Sequence, residues 1–265
     1  MVTVGVLALQ GGFAEHLTSL RKAANALNGT VHGAFEFTDV RTPQQLAACD
    51  ALVIPGGEST TLSLVAAQSG LLEPLRNFVK IDKKPTWGTC AGLILLSEEA
   101  SSTKRGGQEL VGGLDVRVHR NHFGRQIESF VTDMDLPFLS QTRKGTQAAP
   151  FPAVFIRAPV VDRLLTEDVG PIDGIVEDMS LSEPVLEVEA PNPSKGKVEV
   201  LAVLPGRHAS NKKAAAAEGD AVSPRGAGDI VALRQGNVVG TSFHPELTDD
   251  IRMHKWWLEQ VLHTQ

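Results

Sequence analysis

The sequence predicts a single α/β domain whose central, mostly parallel sheet is flanked by helices. Residues 2–9 form a short, continuous apolar run rich in β-branched side chains, typical of a strand covered on both faces. Gly11 and Gly12 interrupt this run, and apolar residues then recur at helical spacing over 13–27. Because strand and helix continue to alternate after this first unit, a doubly wound sheet is expected.

The following elements extend the pattern. Thr42 and Pro43 are typical of the N-cap and first residue of a short helix, which is predicted to end near Cys49. The remaining elements of the first half are strands at 31–37, 51–54 and 85–89 and helices at 60–68, 73–79 and 91–99. The second half is predicted to contain strands at 113–118, 127–131, 153–156, 198–203, 229–233 and 238–243 and a helix at 250–262.

Composition limits the possible functions. A chain of 265 residues with 42% hydrophobic content can bury one full core, so residues 1–265 are predicted to form one domain. A net charge of −6 argues against binding to nucleic acid or to an acidic membrane surface. The sequence contains no apolar run of the roughly 18 residues that a membrane span needs, so a cytoplasmic protein is expected.

Three polar segments interrupt the regular pattern. The segment 211–228 is low in complexity and lacks apolar residues able to anchor it, 140–150 has a similar polar, small-residue character, and 177–193 is an acidic stretch. We therefore predict surface insertions near 140–150, 177–193 and 206–228.

Cys90 is the leading candidate for a nucleophile. It is the centre of a G-x-C-x-G motif at 88–92, between a predicted strand and a predicted helix. A nucleophile elbow is a strained turn of this kind, and its flanking glycines avoid collisions with neighbouring backbone. A helix N-terminus also favours the thiolate. The alternative is a buried structural cysteine, which is the interpretation that we give to Cys49.

Two further motifs could complete such a site. His244 follows a predicted strand, and Glu246, two residues on, could hold the tautomer of its imidazole; alone, this H-P-E motif would indicate a surface turn. The loop at 55–60 pairs two glycines before a helix, so its backbone could supply an oxyanion donor beside the amide of Ala91. Alone, the loop would be an ordinary helix start, capped by Ser59 or Thr60.

Together these motifs resemble the SNO-type family of class I, or triad, glutamine amidotransferases, which are the glutaminase subunits of pyridoxal 5′-phosphate synthase. The resemblance covers nearly the whole chain outside the polar segments and implies a flavodoxin-like fold. The matching segments are GVLALQG at 5–11, PGGESTT at 55–61, GTCAGL at 88–93, RNHFGRQ at 120–126, FIRAP at 155–159 and SFHPELT at 242–248. His122 departs from the family, which often has a small residue there.

The resemblance implies roles for individual residues. Cys90, His244 and Glu246 correspond to the catalytic triad, and the main chain of Gly57 and Ala91 corresponds to the oxyanion hole. The substrate contacts that it implies are Gly57, Glu58, Ser59, Arg120, Ile156 and Arg157. An arginine can pair with the α-carboxylate of glutamine, although Arg120 and Arg157 by themselves would be interpreted as surface ion-pairing residues.

The implied reaction is hydrolysis of L-glutamine to glutamate and ammonia through a cysteine thioester. The implied partner is a (β/α)₈-barrel synthase subunit that uses the ammonia to make pyridoxal 5′-phosphate and activates the glutaminase on docking, near Gln10 and Gly11. The reaction needs no metal or organic cofactor. His119 and His122 have the spacing of a metal pair, but no zinc-like cluster accompanies them. The alternatives are a glutaminase for another acceptor, such as an anthranilate-type synthase, and a non-catalytic scaffolding subunit.

Overall fold

The computed structural model describes most of the chain. The described residues are 1–27, 35–101, 108–120, 129–139, 149–165, 187–188, 196–205 and 228–264. The predicted insertions near 140–150, 177–193 and 206–228 lie almost entirely outside these residues, and so does the first part of the strand predicted at 31–37. Within the described part, no helix is long and apolar enough to span a membrane.

A large mixed sheet forms the centre of the fold. Its strands in spatial order are β2-β1-β3-β4-β13-β12-β9-β6-β5, with β11 also pairing with β12 and β10 pairing with β11. Strands β7 and β8 form a separate antiparallel ribbon. The strands are β1 (Val2–Leu7), β2 (Phe35–Val40), β3 (Ala51–Ile54), β4 (Thr86–Thr89), β5 (Ser97–Ala100), β6 (Leu114–His119), β7 (Ser129–Met134), β8 (Phe151–Ile156), β9 (Val160–Leu164), β10 (Glu187–Val188), β11 (Val198–Leu204), β12 (Asp229–Gln235) and β13 (Val238–Thr241).

The parallel part of the sheet positions the site. Strands β2, β1, β3, β4 and β13 are all parallel, in the order of a flavodoxin-like doubly wound sheet. The carboxyl ends of β4 and β13 are adjacent, because Thr89 pairs with Thr241 in the register of these strands. The segments that follow these two strands carry Cys90 and His244, so the sheet brings together residues that are far apart in sequence.

Helices cover both faces of this sheet. They are α1 (Phe13–Leu27), α2 (Pro43–Ala47), α3 (Ser59–Gln68), α4 (Leu72–Arg76), α5 (Ala91–Leu96) and α6 (Arg252–His263). One apolar core includes side chains of α1 and α6, and a second, on the other face, includes those of α3, α4 and α5. Trp256 and Trp257 of α6 are buried in the first core.

Local sequence signals explain several helix ends. Thr42 caps α2 with a complete capping box, as its side chain accepts from the Gln45 amide and the Gln45 side chain accepts from the Thr42 amide. Helix α3 ends in a Schellman motif, with Gly70 at φ +70° and hydrogen bonds from Gly70 to Ala67 and from Leu71 to Ala66. The capping predicted at Thr42 and Pro43 is confirmed.

Two predicted helices differ in the structure from the prediction. The helix predicted at 91–99 stops at Leu96, because Ser97–Ala100 is extended and pairs with β6. The segment predicted as a helix at 73–79 changes from α-helix to a π-helical turn, Asn77–Ile81. In addition, strands β9 and β10 were not predicted. In β5, β9 and β10, pairing with another strand overrides local propensity.

Candidate active site

Cys90 lies in a strained turn between β4 and α5. Its backbone angles are φ +50° and ψ −103°, in a region that residues with a side chain rarely adopt. The flanking glycines are required by close packing, since a Cβ on Gly88 would lie 2.5 Å from the Gly92 carbonyl group. A Cβ on Gly92 would lie 2.0 Å from the Ile54 carbonyl oxygen. The structure thus supplies a physical reason for each glycine of the G-x-C-x-G motif.

Hydrogen bonds to neighbouring strands fix this turn. The Cys90 amide donates to the Thr241 carbonyl oxygen at 2.7 Å, which ties the turn to the end of β13. The thiol lies 3.9 Å from the carbonyl oxygen of Ile156, the last residue of β8. Cys90 is 6% exposed, so the residue is almost entirely enclosed by the surrounding loops.

His244 and Glu246 meet as the sequence predicts. Nδ1 of His244 lies 2.8 Å from Oε1 of Glu246, and the His244 amide donates to the Val154 carbonyl oxygen at 2.8 Å. A short 3₁₀ turn, Pro245–Leu247, directs the Glu246 carboxylate back to the imidazole. Because Nδ1 is engaged by Glu246, Nε2 is the ring nitrogen available to Cys90.

The surroundings of His244 favour its protonated form. Burial lowers the pKa of His244, but hydrogen bonds to Cys90 and Glu246 and the charges of both groups raise it to about 10. Burial also opposes ionisation of Glu246, yet His16 and His244 hold its pKa below the ordinary value. The site therefore keeps an imidazolium and a carboxylate side by side with little access to water.

Gly56 and Gly12 let the backbone approach the triad closely. A Cβ on Gly56 would lie 2.3 Å from Cε1 of His244 and 3.2 Å from Cβ of Cys90. A Cβ on Gly12 would lie 3.0 Å from Oε1 of Glu246. Neither position has room for a side chain, because the His244 imidazole and the Glu246 carboxylate occupy the adjacent space.

The predicted oxyanion loop contacts the β1–α1 loop. The Glu58 amide donates to the Gln10 side-chain oxygen at 3.1 Å, and Gly57 has a φ of +155°. The amide of Ala91, the first residue of α5, points out of the start of that helix. Gly57 thus follows Gly56, whose backbone lies close to Cys90, and Ala91 begins the helix that follows Cys90. Gln10 restrains the loop that contains Gly57.

Glu58, Ser59 and Arg120 gather at the start of α3. The Glu58 carboxylate caps this helix by accepting from the amides of Thr60 and Thr61 at 3.1 and 2.6 Å. Nη2 of Arg120 donates to the Thr60 hydroxyl at 2.9 Å and lies 3.7 Å from Glu58 Oε1. The Ser59 hydroxyl contacts the Gln108 side-chain oxygen at 3.1 Å.

Ile156 and Arg157 lie at the end of β8 and in the turn that follows it. Both side chains are exposed, and the carbonyl group of Ile156 faces Cys90 Sγ. Arg157 has a φ of +44°, an uncommon conformation for a residue with a side chain. Arg157 thus directly follows the residue whose carbonyl oxygen faces the Cys90 thiol.

Two buried histidines were not predicted to belong to this site. His16 of α1 and His254 of α6 are both 0% exposed, and His16 Nε2 lies 3.3 Å from Glu246 Oε2. The apolar residues at helical spacing over 13–27 include Ala14, which is exposed in the structure, whereas His16 is buried. The available signal was that His16 is four residues before Leu20, on one helix face.

Other candidate features lie outside the site. Cys49 is buried, its thiol donates to the Gln45 carbonyl oxygen at 3.2 Å, and burial raises its pKa to about 11, which supports its structural interpretation. Of the possible metal pair, His119 ends β6 and His122 lies outside the described residues. The part of the chain that the structure describes holds no cluster of histidine, cysteine and acidic residues suited to a metal.

A cysteine on a strained strand-to-helix turn, beside a histidine that a carboxylate holds, defines a thiol enzyme of the triad type on a doubly wound α/β fold. The particular family follows from comparison with known proteins. The profile of the SNO glutamine amidotransferase family matches residues 6–177 and 207–263, and the chain belongs to this family.

Individual relatives agree with this assignment. The chain is 42% identical to the probable pyridoxal 5′-phosphate synthase subunit PDX2 of Arabidopsis thaliana, covering 98% of this chain and 86% of that one. It is 36% identical to the synthase subunit PdxT of Thermococcus onnurineus, covering 99% and 100%. A crystal structure of a glutamine amidotransferase, 34% identical, superposes with a TM-score of 0.63 over 97% of this chain and 98% of that chain. The predicted fold class is confirmed by this likeness.

Proposed function

We propose that the protein is the glutaminase subunit of a pyridoxal 5′-phosphate synthase. In this role it hydrolyses L-glutamine through Cys90 and delivers the ammonia to the synthase subunit. The observation that carries the proposal is that His244 contacts both Cys90 and Glu246, just beyond the adjacent carboxyl ends of β4 and β13. The synthase relatives, which match almost the whole chain, support the choice of ammonia acceptor.

The geometry supports the following chemistry. The Cys90 thiolate attacks the side-chain carbonyl carbon of glutamine, and the amides of Gly57 and Ala91 donate to the oxyanion that forms. The imidazolium of His244 donates its Nε2 proton to the leaving amine, so ammonia departs and a γ-glutamyl thioester remains. His244 then takes a proton from water, whose oxygen attacks the thioester to release glutamate and restore the thiolate. Throughout these steps Glu246 stabilises the charge on His244.

The remaining site residues are assigned to the amino acid part of glutamine. Arg120 and Arg157 supply guanidinium groups suited to an α-carboxylate, and the backbone of Ile156 borders the thiol. Glu58 and Ser59 offer acceptors for the α-amino group. Partial burial opposes ionisation of Glu58, but hydrogen bonds from Thr61 and Thr60 outweigh it and lower the pKa of this carboxyl to about 2, so the acceptor is fully charged at neutral pH.

The proposed partner is a (β/α)₈-barrel synthase subunit. Ammonia released into water near neutral pH would be protonated and lose its nucleophilicity, so the glutaminase requires a docked acceptor. The contact between Gln10 and the amide of Glu58 provides a route by which docking near the β1–α1 loop would reach the oxyanion loop. A cytoplasmic location fits this assignment, because reducing conditions keep the Cys90 thiol free.

Glutamate release, measured with and without the synthase subunit, tests the proposal. We expect wild type to be activated by the synthase, Cys90→Ala to be inactive, and Cys49→Ala to keep its activity as the matched thiol control. A diazoketone analogue of glutamine should label wild type and Cys49→Ala only. Equal activity of wild type and Cys90→Ala would refute the triad, whereas activation by a different barrel synthase alone would refute the assigned partner.

A further inference from the structure

A buried pair of histidines lies behind the proposed triad. His16 Nδ1 lies 3.0 Å from His254 Nε2, and both rings pack edge-on against the indole of Trp87, at centroid distances of 5.5 and 5.1 Å. Neither histidine has any exposed surface. The pair connects helices α1 and α6 directly beneath the carboxylate of Glu246.

The second carboxylate oxygen of Glu246 faces this pair. Oε1 is bound by His244, whereas Oε2 makes no regular hydrogen bond to the described residues. His16 Nε2 is 3.3 Å from Oε2 and 3.2 Å from the Thr89 hydroxyl oxygen. A small rotation of the ring therefore moves its N–H from one oxygen to the other. A buried carboxylate oxygen without a donor is costly, so a nearby N–H has a clear role.

The tautomers follow from the contacts. A neutral His16 that presents an N–H to Glu246 must carry its proton on Nε2, which leaves Nδ1 as an acceptor. His254 then donates from its own Nε2, and its Nδ1, which has no partner among the described residues, is unprotonated. The opposite assignment would leave an N–H of His254 buried without an acceptor and would turn the lone pair of His16 toward the carboxylate.

Both histidines are suited to a neutral state. Burial is the largest effect on His16 and lowers its pKa, and the charge of His244 lowers it further. The charges of Glu246 and Glu15 act in the opposite direction, but the pKa of His16 remains below its ordinary value. Burial and the neighbouring His16 also lower the pKa of His254. A neutral donor orients a carboxylate without cancelling its charge, so the negative charge of Glu246 remains available to His244.

We propose that His16 is a positioning residue of the glutaminase, which holds Oε2 of Glu246 through its Nε2–H, while His254 fixes the tautomer that makes this N–H available. The inference rests on the proposed function of Cys90, His244 and Glu246. His16 acts only through Glu246 and touches no reacting atom. Loss of its N–H should therefore lower turnover more than substrate affinity.

Two amide substitutions of His16 separate this role from simple packing. In His16→Gln the side-chain amide reaches the position of Nε2, whereas in His16→Asn it reaches only the position of Nδ1. We expect His16→Gln to keep kcat near wild type and His16→Asn to lose about 10- to 100-fold in kcat with KM unchanged. In His16→Asn the acid limb of the pH–rate profile should move to higher pH, because a carboxylate that lacks this donor is protonated more easily.

The experiment uses the full chain with the synthase subunit, and Leu20→Ala serves as the control. Leu20 is buried on the same helix, so its truncation destabilises the core without changing the hydrogen bonds of Glu246. Leu20→Ala should leave the acid limb in place. The proposal is overturned if His16→Gln and His16→Asn behave alike, or if His16→Asn differs from Leu20→Ala in no kinetic property. Activity that survives in Cys90→Ala would instead refute the proposed function itself.

Discussion

Gly56 lies close to the side chains of both Cys90 and His244, so its replacement by alanine probes the geometry of the proposed site. The new Cβ would lie 2.3 Å from His244 Cε1, whereas ordinary van der Waals contact begins at 3.4 Å. The imidazole must therefore shift by about 1 Å, and misplacement of a catalytic group by this amount costs about 100-fold in rate. We expect kcat for glutamate release in Gly56→Ala to fall about 100-fold, with little change in KM, because the substrate contacts are unaltered.

Gly70→Ala is the matched control for this experiment. Gly70 has a φ of +70°, and none of the described residues lies within 4 Å of the position that an alanine Cβ would take, so alanine there adds backbone strain without a steric contact. Its stability should fall by about 1 kcal/mol while kcat stays at the wild-type value. Both variants are assayed with the synthase subunit, and their thermal unfolding is followed in parallel. Wild-type kcat in Gly56→Ala, or an equal loss in both variants, would refute the reasoning.

Three further predictions concern the elbow, the imidazole and the cap of α3. Gly92→Ala should lower the free energy of unfolding by about 3 kcal/mol or more, because its Cβ would lie 2.0 Å from the Ile54 carbonyl oxygen; an unchanged urea midpoint would contradict this. His244 should remain protonated at mildly alkaline pH in nitrogen NMR spectra of wild type and should titrate at lower pH in Cys90→Ala; wild-type titration near 6.5 would contradict the raised pKa. Glu58 has a pKa of about 2 in the folded state against an ordinary 4.5, so its contribution to stability is present above about pH 4.5 and disappears as the pH falls through about 2. Glu58→Gln should therefore be less stable than wild type at neutral pH, and the difference should shrink in acid; a difference that does not change with pH would exclude a charged cap.

Local patterns predicted much of the fold. The buried strand β1, the helix Phe13–Leu27 and the capping box at Thr42 are each encoded in a few consecutive residues. Three strands escaped prediction, β5, β9 and β10, and each of them is paired with another strand. Their sequences do not state which partner they will meet, and the pairing decides their conformation.

The sequence by itself determined that Cys90 occupies a glycine-flanked turn between a strand and a helix, because the glycines that permit such a turn lie two residues to either side of it. It also placed His244 within reach of Glu246, since two residues and a tight turn suffice for that contact. The resemblance to a known family predicted that these segments come together in one site. Only the tertiary structure decided that the turn after β4 meets the turn after β13, and that His16 and His254, 238 positions apart, come together behind the carboxylate. The physical reason is that the position of a buried imidazole is determined by side chains from several helices and strands. The helical pattern of one segment does not reveal which of its polar residues will be buried among them.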